Sequence, residues 1–342
     1  MKYSTSSSTT LLAALAAAGY ASAAGSCPSS SPISCQNTTA IRNTCCTEVH
    51  GEVVQVQFWD ADPATGPADS WTIHGLWPDN CDGGYPQNCD ASRAYTNISC
   101  ILAAGGEKGQ TALSFMQTYW KDENGGDESF WEHEWAKHGT CYSTLQPSCY
   151  ADYTPFEEVI DFFSQTTTLF QSLPTYKWLA DAGITPSSSQ KYSTSDVLAA
   201  LQQPRGVSAS ISCQSGKLSQ IEYAFNVQGS VDGGKYIPVD VSGSSSNCGS
   251  SLSYPPKNLD TSPSVSTPYC PDAPTQTATD EAPTQTAAEP TQTTDDGNTQ
   301  TTDEPTQTTD AAPTETTGDA PAQTTDDGFD DGDDQNDFGR RW

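Results

Sequence analysis

Ser70-Trp71-Thr72-Ile73-His74-Gly75-Leu76-Trp77-Pro78-Asp79 and Phe130-Trp131-Glu132-His133-Glu134-Trp135-Ala136-Lys137-His138-Gly139-Thr140-Cys141 hold three of the chain's four histidines and four of its eight tryptophans. The first segment reads as a strand over 71–76, with His74 near its end. In the second, helical spacing puts Glu134 and His138 on one face and His133 and Lys137 in a second row about 100° round. Phe130 falls one turn before Glu134, and Trp131 and Trp135 form a further row suited to anchoring the helix in a core. One helix and one strand can therefore offer a cleft several imidazoles, a carboxylate and an ammonium. That is a full set for phosphoryl transfer without a metal: one imidazole removes a proton, another donates one, and a cation holds the phosphate.

Outward from these segments, 52–59 is β-branched and aromatic and predicts a strand, followed by a Pro/Gly loop over 60–69. Helical spacing predicts helices over 110–121 and 155–172, the latter with Pro155 in its first turn beside Glu157 and Glu158. A short helix over 195–203, capped by Ser or Thr, and strands over 220–227 and 235–241 complete the pattern. Interspersed helices and strands with long loops favour an α+β fold over a regular α/β winding.

Residues 1–24 read as a secretory signal, with Lys2, the apolar run 11–18 and a small-residue cleavage site after Ala23 or Ala24. From 271 the chain becomes an acidic Thr/Pro-rich repeat that cannot bury a core, and it reads as a disordered, O-glycosylated tail. Whether that tail is a passive extension or a stalk with a partner stays open. It carries 18 acidic residues against 2 arginines, so −16 of the chain's net −29 lies there. Residues 25–270 form one expected domain holding all twelve cysteines, an even number behind a secretory signal, which predicts disulfides in an oxidising compartment. Asn37 and Asn97 head N-glycosylation acceptor triplets. Paired Cys-x-x-Cys knuckles are missing, and His133 and His138 are roughly 140° apart on a helix, so neither a zinc finger nor a zinc peptidase is expected. No metal or cofactor is expected, nor is a membrane-embedded protein.

With those residues in view, the two segments resemble the active-site motifs of the ribonuclease T2 family, most closely its secreted fungal acid enzymes, over residues 27–250. The resemblance implies an α+β fold with a central antiparallel sheet, flanking helices and disulfides. It implies an extracellular, metal-independent endoribonuclease of single-stranded RNA working through a 2′,3′-cyclic phosphate, and a monomer. His138 matches the general base, His74 the general acid, Glu134 and Lys137 the pair that stabilises the five-coordinate phosphorus, and His133 a phosphate ligand. The chemistry agrees: RNA supplies its own 2′-hydroxyl nucleophile, and DNA, lacking it, should be inert. Trp77, Asp79 and Tyr85 match a base site and imply a preference for adenine, whose exocyclic amine a carboxylate accepts. Phe130, with Gln57 beside it, matches a second base site. For Trp77 as core and Asp79 as a turn residue after Pro78, the sequence leaves an alternative open.

Spacing alone does not set cysteine pairing. The resemblance implies Cys27–Cys46, Cys35–Cys81, Cys45–Cys149, Cys100–Cys141 and Cys213–Cys248, which leaves Cys89 and Cys270 to pair and pin the domain's end. The acidic charge argues against steering RNA at neutral pH. It points instead to an acidic optimum, where carboxylates are protonated and histidines charged. A surface or signalling protein built on the same scaffold, with binding as its function, is the competing reading, and the long tail is its support.

Overall fold

The computed structural model describes residues 27–36, 40–243, 246–264 and Cys270. The expected signal, Asn37 and the acidic tail lie outside the described residues. In chain order the elements are β1 (Gly51–Phe58), β2 (Thr72–Asn80), α1 (Ile98–Ala104), α2 (Gly106–Tyr119), α3 (Asp127–Lys137), α4 (Glu157–Gln171), α5 (Thr175–Asp181), β3 (Lys191–Ser193), α6 (Thr194–Gln202), β4 (Ser210–Gln214), β5 (Lys217–Gln228), β6 (Lys235–Val239) and β7 (Ser251–Ser253).

β5 is the spine. It pairs antiparallel with β1, β4 and β6, and the sheet runs β2-β1-β5-β7-β3. The expected antiparallel sheet holds except at one parallel pair, Lys217 with Ser253. β1 is buried on both faces, as its run of Val53, Val54 and Val56 requires. One face of the sheet meets the main core, where α4 contributes Val159, Phe162, Phe163, Thr166 and Phe170 at helical spacing. The other face carries Val54, Val56 and Ala224 under Trp77.

Three sequence expectations shift. Helix α4 starts at Glu157, because Phe156 before it takes a left-handed backbone (φ 70°), so Pro155 precedes the helix rather than opening it. β2 runs on to Asn80 and pairs Trp77 with Val54 and Asp79 with Glu52, so Asp79 is a strand residue and not a turn. The short elements α1, α5, β3, β4 and β7 span three to seven residues each, too few for periodicity to mark them.

Cys27–Cys46, Cys35–Cys81, Cys45–Cys149 and Cys213–Cys248 are bonded as expected. The other two pairs are exchanged: Cys89 joins Cys141, and Cys100 joins Cys270. The Asn88 amide donates to the Lys137 carbonyl at 2.9 Å, which lays the loop after β2 across the end of α3 and brings Cys89 to Cys141. The Cys270 amide donates to Ser99 Oγ at 3.3 Å, so Cys270 is tied to α1 and not to the loop that holds Cys89. A non-reducing peptide map should therefore link the Cys89 and Cys141 peptides. Changing both to Ser should lower the unfolding free energy by about 2–4 kcal/mol in a denaturant titration. A Cys100–Cys141 cross-linked peptide would reject this connectivity.

Candidate active site

A break in the β1–β2 register builds the site. Val56 pairs with Gly75 and Gln57 with Ile73, so His74 is an extra residue on β2. Simple alternation would put His74 and Gly75 on opposite faces. The bulge instead turns His74 onto the face of Gly75 and Trp77, which is the usual use of a bulge at a site. There its ring stacks on Phe58 at 3.9 Å with 23° between planes. Its Nδ1 lies 3.1 Å from Gln220 Oε1 and its Nε2 lies 3.5 Å from Glu134 Oε1.

Helix α3 runs beside this strand. Trp131 and Trp135 are fully buried and fix it, their indole N–H groups donating to the Trp120 and Arg93 carbonyls. That orientation brings Glu134, 0% exposed, against the backbone of Gly75, where Trp77 Nε1 donates to Glu134 Oε2 at 3.1 Å. A Cβ at position 75 would fall inside the Glu134 carboxylate and against the Trp77 indole, so only glycine allows this approach. His138 closes the helix as its C-cap and stacks on Trp77 with ring centres 5.0 Å apart. His133 stands edge-on to His138 at 6.5 Å, and Phe130 lies 5.8 Å from the His74 ring.

Burial sets the electrostatics. His138 is held well below the ordinary imidazole value by desolvation first, then by the positive charges of Lys137, His74 and His133. Asp79 moves the other way, raised to about 7 by burial, then by Glu222 and Glu52.

The predicted set thus largely comes together. His74, Trp77, Phe130, His133, Glu134 and His138 are joined by ring contacts or hydrogen bonds, and buried Lys137 precedes His138. Asp79 is on the strand face of Trp77, two residues on. Tyr85 is 46% exposed beyond β2, and among the described residues no ring packs on it. Gln57 is fully buried on the core face, where its Nε2 donates to the Leu173 carbonyl and its Oε1 accepts from Thr175 Oγ1. Exposed Asn97 heads α1 with a left-handed backbone (φ 59°).

Sequence reading missed Phe58 and Gln220, which reach His74 across the sheet and carry no motif. It also missed the clamps on the turn after His138. Arg93 donates to the Thr140 and Leu145 carbonyls at 2.6 and 3.2 Å, and buried Glu48 accepts from the Ser143 and Thr144 amides. The tight fit at Gly75 is testable. Gly75→Ala should displace the Glu134 carboxylate and cut kcat roughly 100-fold, read as RNA cleavage beside a circular-dichroism melt; a variant of full activity would show that the close approach is dispensable.

The family model described as the ribonuclease T2 family matches residues 35–233. Ribonuclease Trv of Hypocrea rufa is 55% identical over 235 residues, covering 69% of this chain and 100% of that protein. Ribonuclease T2 of Aspergillus oryzae is 49% identical over 240 residues, covering 69% and 86% respectively. The crystal structure of Actibind, a T2 ribonuclease, superposes with a TM-score of 0.64 at 51% identity, covering 68% of this chain and 98% of that one. With a bulged His74, a buried Glu134 and His138 on one cleft of an α+β fold, and relatives of this closeness, the chain belongs to the ribonuclease T2 family and is an endoribonuclease.

Proposed function

We propose that the chain is a secreted, metal-independent acid endoribonuclease that cuts single-stranded RNA by transphosphorylation. The observation that carries this reading is the pair of imidazoles on either side of one buried carboxylate: His74 Nε2 lies 3.5 Å from Glu134, and His138 stacks on the Trp77 that donates to the same Glu134. In the first step His138 takes the ribose 2′-hydroxyl proton, the 2′-oxygen attacks phosphorus, and His74 gives its proton to the departing 5′-oxygen. The products are a 2′,3′-cyclic phosphate and a 5′-hydroxyl. In the second step water attacks the ring with the two histidines in exchanged roles, leaving a 3′-phosphate. Lys137 with Glu134 stabilises the five-coordinate phosphorus, and His133 holds a phosphate oxygen.

Trp77, Asp79 and Tyr85 take one base and Phe130 the next. Below about pH 7 Asp79 is neutral, with a hydroxyl to donate and a carbonyl to accept. It can then serve either purine, which supports broad cleavage. Once ionised it only accepts, so it favours the adenine amine over the guanine O6. Six disulfides and the leader at 1–24 support an extracellular location. No helix of the described residues is long and apolar enough to cross a membrane. Residues 25–270 are the catalytic domain, a monomer, and 271–342 the glycosylated tail, with Asn37 and Asn97 as N-glycan sites.

Single-stranded RNA and matched DNA should be incubated at about pH 4–5 with EDTA. The wild type should leave 2′,3′-cyclic ends on RNA and spare DNA, and His138→Ala should lose about 10²–10⁴-fold. Metal dependence, or cutting of DNA, would reject the mechanism; intact RNA would favour the binding-scaffold reading. In the pH profile of kcat/KM, the rising limb should lie well below 6.5, because His138 stays neutral to low pH. An optimum above pH 8 would contradict this. The adenine-over-guanine ratio should rise between pH 5 and 8 as Asp79 ionises, and should be flat in Asp79→Asn.

A further inference from the structure

We propose that Gln220 and Glu222, two residues apart on β5, form a positioning relay that fixes which nitrogen of His74 carries the transferable proton. The inference rests on the reading of His74 as the general acid.

Gln220 pairs with Phe58 and Glu222 with Val56, so both side chains rise from the sheet face that holds His74. Gln220 Nε2 donates to Glu222 Oε1 at 2.8 Å, and Gln220 Oε1 lies 3.1 Å from His74 Nδ1. A carboxylate can only accept, so Glu222 compels the amide nitrogen to face it and the amide oxygen to face the ring. The ring nitrogen meeting that oxygen must then be a donor, which places a fixed hydrogen on Nδ1. Nε2, on the Glu134 side, is left as the atom that gives and regains the catalytic proton. As imidazolium, His74 has an acceptor on each nitrogen, the arrangement an acid needs before the reaction starts.

The relay is built rigidly. Gln220 is only 8% exposed, and Phe58 stacked on the ring sets its plane. Glu222 is itself held by Ser210, and is raised above the ordinary carboxyl value by burial first, with the charge of Glu52 a smaller contribution. When protonated it can also donate, and at acidic pH the amide is instead held by the imidazolium, whose Nδ1–H can only donate to the Gln220 oxygen while the Glu222 carbonyl oxygen still accepts from the amide nitrogen.

Two substrates separate this role from simple packing. One is an RNA dinucleotide, whose 5′-oxygen must be protonated to leave. The other is a nucleoside 3′-(4-nitrophenyl phosphate), whose phenolate leaves without an acid. Gln220→Leu should lower kcat on the dinucleotide about 10–100-fold with KM little changed, and lower the nitrophenyl rate by less than about threefold. The falling limb of its dinucleotide pH profile should move to lower pH. Gln220→Glu, which keeps an acceptor toward Nδ1, should recover most of the loss. Glu222→Gln, of unchanged size, should show the same leaving-group dependence more weakly, and it decides the question if Gln220→Leu does not fold. Equal losses on both substrates, or none, overturn the relay. His74→Ala separates the two failures. If it too loses both substrates equally, the general-acid reading falls and the relay with it. If it shows leaving-group dependence and the Gln220 and Glu222 variants do not, only the relay falls.

Discussion

A carboxylate with no solvent exposure, Glu134, is the constraint around which the site is arranged. An acidic group buried this deeply is costly unless its oxygens are answered by polar partners. Here the answers come from β2: the Trp77 indole donates to one oxygen, and the His74 imidazole faces the other. Both depend on α3 approaching the strand so closely that position 75 has no room for a side chain. The bulge at His74 serves the same demand, because without it His74 would point into the core and leave the second Glu134 oxygen without its imidazole.

Such closeness is useful only if the helix end cannot drift. The turn after His138 is held from several directions. Arg93 clasps the Thr140 and Leu145 carbonyls while its ring neighbour Trp135 receives it as a cation. Glu48 gathers the Ser143 and Thr144 donors, and the Cys89–Cys141 bond ties the loop after β2 to the same turn. None of these groups touches the cleft. Their combined effect is to fix the turn that follows His138, and with it the place of that ring beside Trp77.

Those two layers explain what the sequence discloses. His133, Glu134, Lys137 and His138 lie on one short helix, where spacing converts directly into geometry, so the set is readable without any long-range knowledge. Trp77 and Asp79 are readable in type but not in placement, since one bulge decides which face each side chain takes. Phe58 reaches His74 through the bulged β1–β2 pairing and Gln220 through the β1–β5 register, over 146 residues in the case of Gln220, and no local pattern announces either. Gln57 is readable in type but not in placement, since alternation puts it on the core face with Gln55 and opposite Phe58, where Leu173 and Thr175 hold it. The exchanged cysteine pairs belong here too: which half-cystines meet depends on how the 82–90 loop crosses the end of α3, a tertiary fact.

An acidic protein that acts on a polyanion looks self-defeating until burial is considered. More than half of the net charge, 16 of 29, belongs to the tail. Near the cleft, desolvation opposes charge of either sign. It raises Asp79 to about 7 and raises Glu222, while it lowers His138. The two displacements run in opposite directions and open a window on the acid side of neutrality. Within it Asp79 is neutral and no longer repels phosphate, yet the His138 ring is still unprotonated and able to accept a proton. In water the order would be reversed, with carboxyls near 4 ionised before an imidazole near 6.5 became neutral. The burial that makes the site costly to fold is thus also what would let RNA approach and a histidine base work at the same pH.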